Sequence, residues 1–162
     1  MPRPTRSHRR RRRGPPDLMA PHTSVPLLAP EDALDVVLLA VADPPAAETV
    51  VLLLDELHRG GTCLVCRGAA SAEQVGSLLP LLVQAAAQEP GVLAGVVMAT
   101  VRPGAGIALA PDDDVTFGTM RHELALAGVD LLDWFVLDGD LVASVAELTG
   151  ACWRWTGQEP AW

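Results

Sequence analysis

Residues 93–138, LAGVVMATVRPGAGIALAPDDDVTFGTMRHELALAGVDLLDWFVLD, decide the fold. Val92 to Met98 is a continuous apolar run, the mark of a strand buried on both faces. A Pro-Gly loop follows over Thr100–Gly106. The cluster Asp112-Asp113-Asp114 opens a helix that carries Phe117, Met120, Leu124 and Ala127 at three- and four-residue steps and stops at Gly128. Val129 to Leu137 is a second buried strand. Asp138-Gly139 is a type I′ hairpin signal, and Leu141 to Ser144 returns as a further strand. This layout puts the Thr100–Gly106 loop at a strand's carboxyl end, where open α/β sheets keep their chemistry. The loop offers Thr100, Arg102 and Pro103, with no histidine and no cysteine.

Working outward, Pro30-Glu31-Asp32 starts a helix that runs to about Ala42 and ends before Asp43-Pro44-Pro45. Val50 to Leu54 and Thr62 to Cys66 are strands joined by the turn Glu56–Gly61, a hairpin with a longer loop. Ser71 caps a helix with Leu78, Leu79, Leu82, Ala85 and Ala86 on one face, ended by Pro90-Gly91. The alternation predicts an α/β fold, a three-layer-like sandwich with a mixed β-sheet flanked by helices. Residues 1–28 read as an irregular Arg/Pro-rich tail, 29–150 as the folded domain, and 151–162 as a Trp-rich C-terminal tail.

The chain has 162 residues and a formal charge of −8. Seven arginines fall in the first thirteen residues; the remainder sets five arginines against all twenty acids. An acidic body argues against a broad nucleic-acid-binding face. All twelve basic residues are Arg, and there is no Tyr. That bias, with abundant Ala, Gly, Pro and Val, fits GC-rich coding of the actinobacterial kind. Three cysteines without a secretory pattern suggest reduced thiols and a cytoplasmic location. No apolar run approaches the roughly 20 residues of a membrane span, so no membrane partner is expected. The arginine block reads as a solvated tail, as a product of upstream translation with Met19 as the alternative start, or as a phosphate-binding arm.

Several segments resemble the RadC-like branch of the JAB/MPN (JAMM) metalloprotease superfamily. APEDALDVVL is similar to that branch's first helix, and ETVVLLLD to its first strand. Asp130-Leu131-Leu132-Asp133 running into WFVLDGD is similar to its Leu-Leu-Asp strand and Gly-Asp turn. The resemblance covers about Pro30 to Glu147. Active relatives carry His-x-His-Pro, a later Ser-x-x-Asp and an upstream Glu. The histidines and the Asp hold zinc, the Glu handles the proton of a bound water, and the Ser helps with the oxyanion. Anchored on Pro103, the resemblance puts Thr100 and Arg102 at the histidine positions, Pro111 at the serine and Asp114 at the aspartate. Glu48 falls within about one residue of the glutamate.

Catalytic zinc needs three protein ligands and an open position. Threonine is a poor neutral donor, and a guanidinium has no lone pair and is permanently positive. Without the metal, water keeps a pKa of about 15.7 rather than about 7. The resemblance therefore implies a catalytically inactive domain with no cofactor, acting as a binding or scaffold module for a protein partner or a second copy. In one reading Arg102 stands in for the metal and neutralises Asp114, with Asp112 or Asp113. In the other it points to solvent and the aspartates cap a helix. Two further functional classes remain. One is a metal-dependent hydrolase with a relocated site drawn from Glu48, Asp112, Asp113, Asp114 and His122. The other is a nucleic-acid-associated protein acting through the arginine tail.

Other motifs carry less. Cys63-Leu64-Val65-Cys66 sits in a strand, where positions three apart face opposite sides, so it reads as buried thiols rather than a redox pair. His122-Glu123 lacks the second histidine of a zincin helix, since residue 126 is Leu. His58 reads as a surface residue, and His8 and His22 lie in the N-terminal tail. Arg102 beside Gly104-Ala105-Gly106 suggests an anion held on backbone N–H groups. Trp153, Trp155 and Trp162 cover an edge or groove of the domain, or form a partner patch.

Overall fold

The computed structural model describes residues 25–88 and 90–151. The arginine block, Met19, His8, His22, Cys152 and the three C-terminal tryptophans lie outside the described residues. Ten elements follow in order: α1 (Pro30–Ala40), β1 (Glu48–Leu54), β2 (Gly60–Arg67), α2 (Ala72–Gly76), α3 (Leu79–Gln88), β3 (Gly95–Val101), α4 (Asp113–Leu126), β4 (Asp130–Asp138), β5 (Leu141–Ser144) and α5 (Val145–Leu148). The strands form one sheet in the order β2-β1-β3-β4-β5. Only β3 and β4 are parallel; the other pairs are antiparallel. The fold is therefore α/β with a mixed sheet, as the alternation of periodicities requires.

Strand alternation separates two cores. On one face Val50, Leu52, Val97, Ala99, Phe135 and Leu137 pack against Ala33 and Val37 of α1. On the other, Val51, Met98, Trp134 and Val136 pack against α2, α3, α4 and α5 through Val75, Leu82, Phe117 and Val145. Leu27, placed by the sequence in the N-terminal tail, is buried in the α1-side core, and its N–H donates to the His58 carbonyl at 2.9 Å. His58 is accordingly not a surface residue. It is 8 % exposed and adopts a left-handed φ of 55°.

Three local expectations change. The single helix expected after Ser71 is two helices. Pro80 has no N–H to bond the Gly76 carbonyl and its ring would collide with it, so the helix breaks there and restarts at Leu79. Val145–Leu148, unassigned from sequence, forms a one-turn helix capped by Ser144, whose Oγ accepts from the Glu147 N–H at 3.0 Å. The β4–β5 turn is also shifted by one residue. Asp138 pairs with Leu141, leaving Gly139-Asp140 as the two-residue loop. Of those two, only Gly139 has a positive φ, 60°, which fits type II′ rather than type I′. No helix among the described residues is long and apolar enough to cross a membrane.

Candidate functional site: a buried arginine at the end of β3

β3 is longer at its carboxyl end than its apolar run suggested. Thr100 belongs to the strand rather than to the loop, and is fully buried. It stays there because its hydroxyl is satisfied on both sides. The Trp134 indole N–H donates to Thr100 Oγ1 at 2.8 Å, and Thr100 lies 2.9 Å from Thr49 Oγ1, its partner residue on β1. Thr49 in turn donates to the Ala69 carbonyl at 2.6 Å. A carbonyl only accepts and an indole N–H only donates, so the proton order is fixed: Trp134 to Thr100, Thr100 to Thr49, Thr49 to Ala69.

A β-bulge puts Trp134 in this chain. Val96 pairs with Leu131 but Val97 pairs with Asp133, so β4 holds one extra residue. Strict alternation from Leu131 would send Trp134 to the α1 side. The extra residue reverses the phase and places the indole under the end of β3, on the α4 side.

Arg102 is the first residue beyond β3 and is held at every level. Its N–H donates to the Leu137 carbonyl at 2.8 Å. Its side chain, 10 % exposed, turns inward over Trp134, with the guanidinium carbon 5.8 Å from the ring centroid, within cation–π range. Nε donates to the Ala70 carbonyl at 2.7 Å. Nη1 and Nη2 donate to the two oxygens of Asp113 at 2.6 and 2.7 Å. Asp113 is fully buried, and its Oδ2 also accepts from the Ala110 N–H at 2.7 Å. This is the two-pronged geometry in which a guanidinium binds a carboxylate most strongly.

The arginine thus does meet an aspartate, but it is Asp113. Asp114 is exposed, and its Oδ1 accepts from the Val115 N–H at 2.7 Å. Asp112 is exposed at the helix N-cap, where its side chain makes no capping bond. Pro111 is exposed as well. The sequence carried a signal for Asp113: stepping back four residues along the buried stripe Leu124, Met120, Phe117 lands on it.

Glu48 stands apart from the site. It is buried, but strand alternation turns it to the α1 side, opposite Thr49 and Thr100. There its Oε1 accepts from the Ala42 N–H at 2.6 Å. His122 is exposed on α4, nine residues beyond Asp113, about 13 Å along the helix axis. Glu48, the aspartates and His122 are therefore not brought together. Among the described residues no three His, Cys, Asp or Glu side chains form a ligand group. Cys63 and Cys66 are half-buried in β2, and burial pushes both thiols up, away from the reactive thiolate.

The glycine loop does not present free N–H groups to an anion. Gly104 and Gly106 donate to the two Asp138 oxygens, each at 2.8 Å. Asp138 clamps the loop from the end of β4, a role its place before the turn makes possible. Asp138→Ala is expected to cost about 1–2 kcal/mol, because two backbone donors lose a charged acceptor. Amide hydrogen exchange at Gly104 and Gly106 should accelerate; unchanged protection and melting temperature would show the clamp to be absent in solution.

A second buried polar group lies further along β4. Asp133 is fully buried, and its oxygens accept from Ser144 Oγ at 3.0 and 2.9 Å, the Trp134 N–H at 2.7 Å and the Ala146 N–H at 3.3 Å. Burial raises its pKa to about 6, against the lowering effect of those bonds and with help from nearby Glu147.

Beside Arg102 lies a shallow cleft of about 520 Å³, bordered by Ser71, Glu73, Gly106 and Pro111. No protein-family model matches this chain, and no curated protein matches it.

Proposed function

We propose that the chain is a catalytically inactive RadC/JAB-like domain that works as a binding or scaffold module for a protein partner or a second copy. The observation that carries this reading is the Arg102–Asp113 pair. The resemblance puts a zinc ligand at position 102, and a buried guanidinium stands there instead. The resemblance puts the aspartate at Asp114, which is exposed, and the guanidinium pairs instead with its buried neighbour Asp113.

The donor set does not fit zinc. Thr100 uses its hydroxyl between Trp134 and Thr49. Arg102 has no lone pair to give and repels a cation. Both Asp113 oxygens are occupied by the guanidinium. No hydrolytic step is derived from such a set. The cleft beside this pair, walled by the β2–α2 loop and residues 105–112, is the surface this reading assigns to a partner.

Zinc titration followed by native mass spectrometry and thermal melting tests the reading. The expected result is no stoichiometric zinc and no rise in melting temperature, since only a ligand that binds the folded state raises it. One zinc per chain, lost on Asp113→Asn substitution, would overturn it.

A further inference from the structure

We propose that the outer face of α4 docks on the same face of a second copy of this chain, the two helices antiparallel and crossing at Gly118. Asp113, Phe117, Met120 and Leu124 turn the other side of α4 to the core. The outer side carries Val115, 64 % exposed, with the exposed Asp114, Gly118 and His122. Gly118 sits mid-helix, where glycine is among the least favourable residues. Its φ is not positive, and a Cβ added there would meet nothing within 4 Å. No contact among the described residues asks for glycine at this position. A second helix crossing here does, because the missing side chain lets two helix axes approach to about 8 Å.

The charges on α4 fix both the direction and the partner. By helical phase Asp114 and Arg121 lie on one flank of Gly118, four residues before it and three after. Val115 and His122 lie on the other flank, three before it and four after. A two-fold axis passing between the helices, at right angles to them, keeps each residue on its flank and reverses its height. It sets Asp114 of each copy against Arg121 of the other, and Val115 against His122. A parallel pairing would set Arg121 beside His122 and leave Asp114 beside Val115. The face is thus its own complement, which a contact between identical copies requires and a contact with a different protein does not. The antiparallel direction also opposes the two helix dipoles. Arg121 is half-buried, and its guanidinium has five donors, so contacts within its own chain are compatible with this pairing. Leu148, 58 % exposed on α5, stands across the groove beside Gly118 and is covered by the incoming helix. This inference deepens the reading above only by naming a second copy and its surface. A chain that bound zinc at the Arg102 site would still dimerise this way, so the two fail separately.

The test is sedimentation equilibrium of the full chain from about 1 μM to about 1 mM, a range over which a contact of one helix on another should pass from monomer to dimer. Asp114→Arg and Arg121→Asp each set like charges together twice per dimer, so either alone should weaken association by at least about tenfold. Mixing the two variants should restore it, because every substituted position then meets an opposite charge. The double variant Asp114→Arg/Arg121→Asp should associate like the parent for the same reason. Gly118→Gln should abolish the dimer and leave the monomer as stable or more so, since glutamine favours helix and the space around the position is open. That variant decides the matter if the charge reversals disturb folding. A chain that stays monomeric throughout, or a dimer indifferent to Gly118→Gln, would overturn the proposal. So would a mixture of the two charge variants that associates no better than either alone. A monomer whose Gly118→Gln variant melts lower would put a segment of its own chain on this face in place of the second copy.

Discussion

Arg102→Ala is expected to destabilise the protein by about 3–5 kcal/mol, because it leaves the fully buried Asp113 carboxylate without its charge partner. For a chain of this length that corresponds to a fall in melting temperature on the order of 10 °C. The same cut removes the Ala70 tether and the cation over Trp134, so the β2–α2 loop should loosen as well. The loss belongs mostly to the stranded charge rather than to the net worth of the pair. Two charges taken from water repay little of that cost even in good geometry. The double substitution Arg102→Met with Asp113→Leu should therefore recover most of the stability that either single change loses. Denaturant unfolding of the four proteins decides the matter. A neutral Arg102→Ala would mean that the side chain is solvated, as the simpler reading of the three aspartates allows.

The second large effect is one of pH. The pKa of Asp133 is raised to about 6 in the fold, against about 3.9 in an unfolded chain. Between those values the folded protein holds a proton that the unfolded chain has released. Stability from this group is fully present below about pH 4 and is lost as pH rises through 6. A shift of about two units corresponds to about 3 kcal/mol. Asp133→Asn removes the titration and keeps an acceptor for the Trp134 N–H. The stability of the Asn variant relative to the parent should therefore climb between pH 4 and pH 7. A difference that stays flat across that range would show that Asp133 titrates normally in the fold.

The arrangement of strands and helices was legible because each element carries its own period. The apolar runs of β1, β3 and β4 and the stripe on α4 needed no partner to be recognised. Site membership was harder for three physical reasons. Adjacent aspartates have the same chemistry, and only helical phase separates buried Asp113 from exposed Asp114. The phase of β4 depends on a bulge that no local signal announces, so Trp134 could not be assigned to the Arg102 side. Finally, Thr100 looks like a loop residue until Thr49 and Trp134 supply its hydrogen bonds, and those partners come from other strands. Asp138 has the sequence signature of a turn residue, and its grip on Gly104 and Gly106 appears only once β4 lies beside the end of β3.

The mutual burial of Arg102 and Asp113 has a consequence for how this chain can change over time. Replacing either residue alone is expected to pass through a destabilised intermediate, so inheritance should treat the two positions as one unit. Among descendants and cousins, a neutral residue at one position should arrive with a neutral residue at the other. Such a coupled pair works as a ratchet: once closed, it resists reopening one substitution at a time.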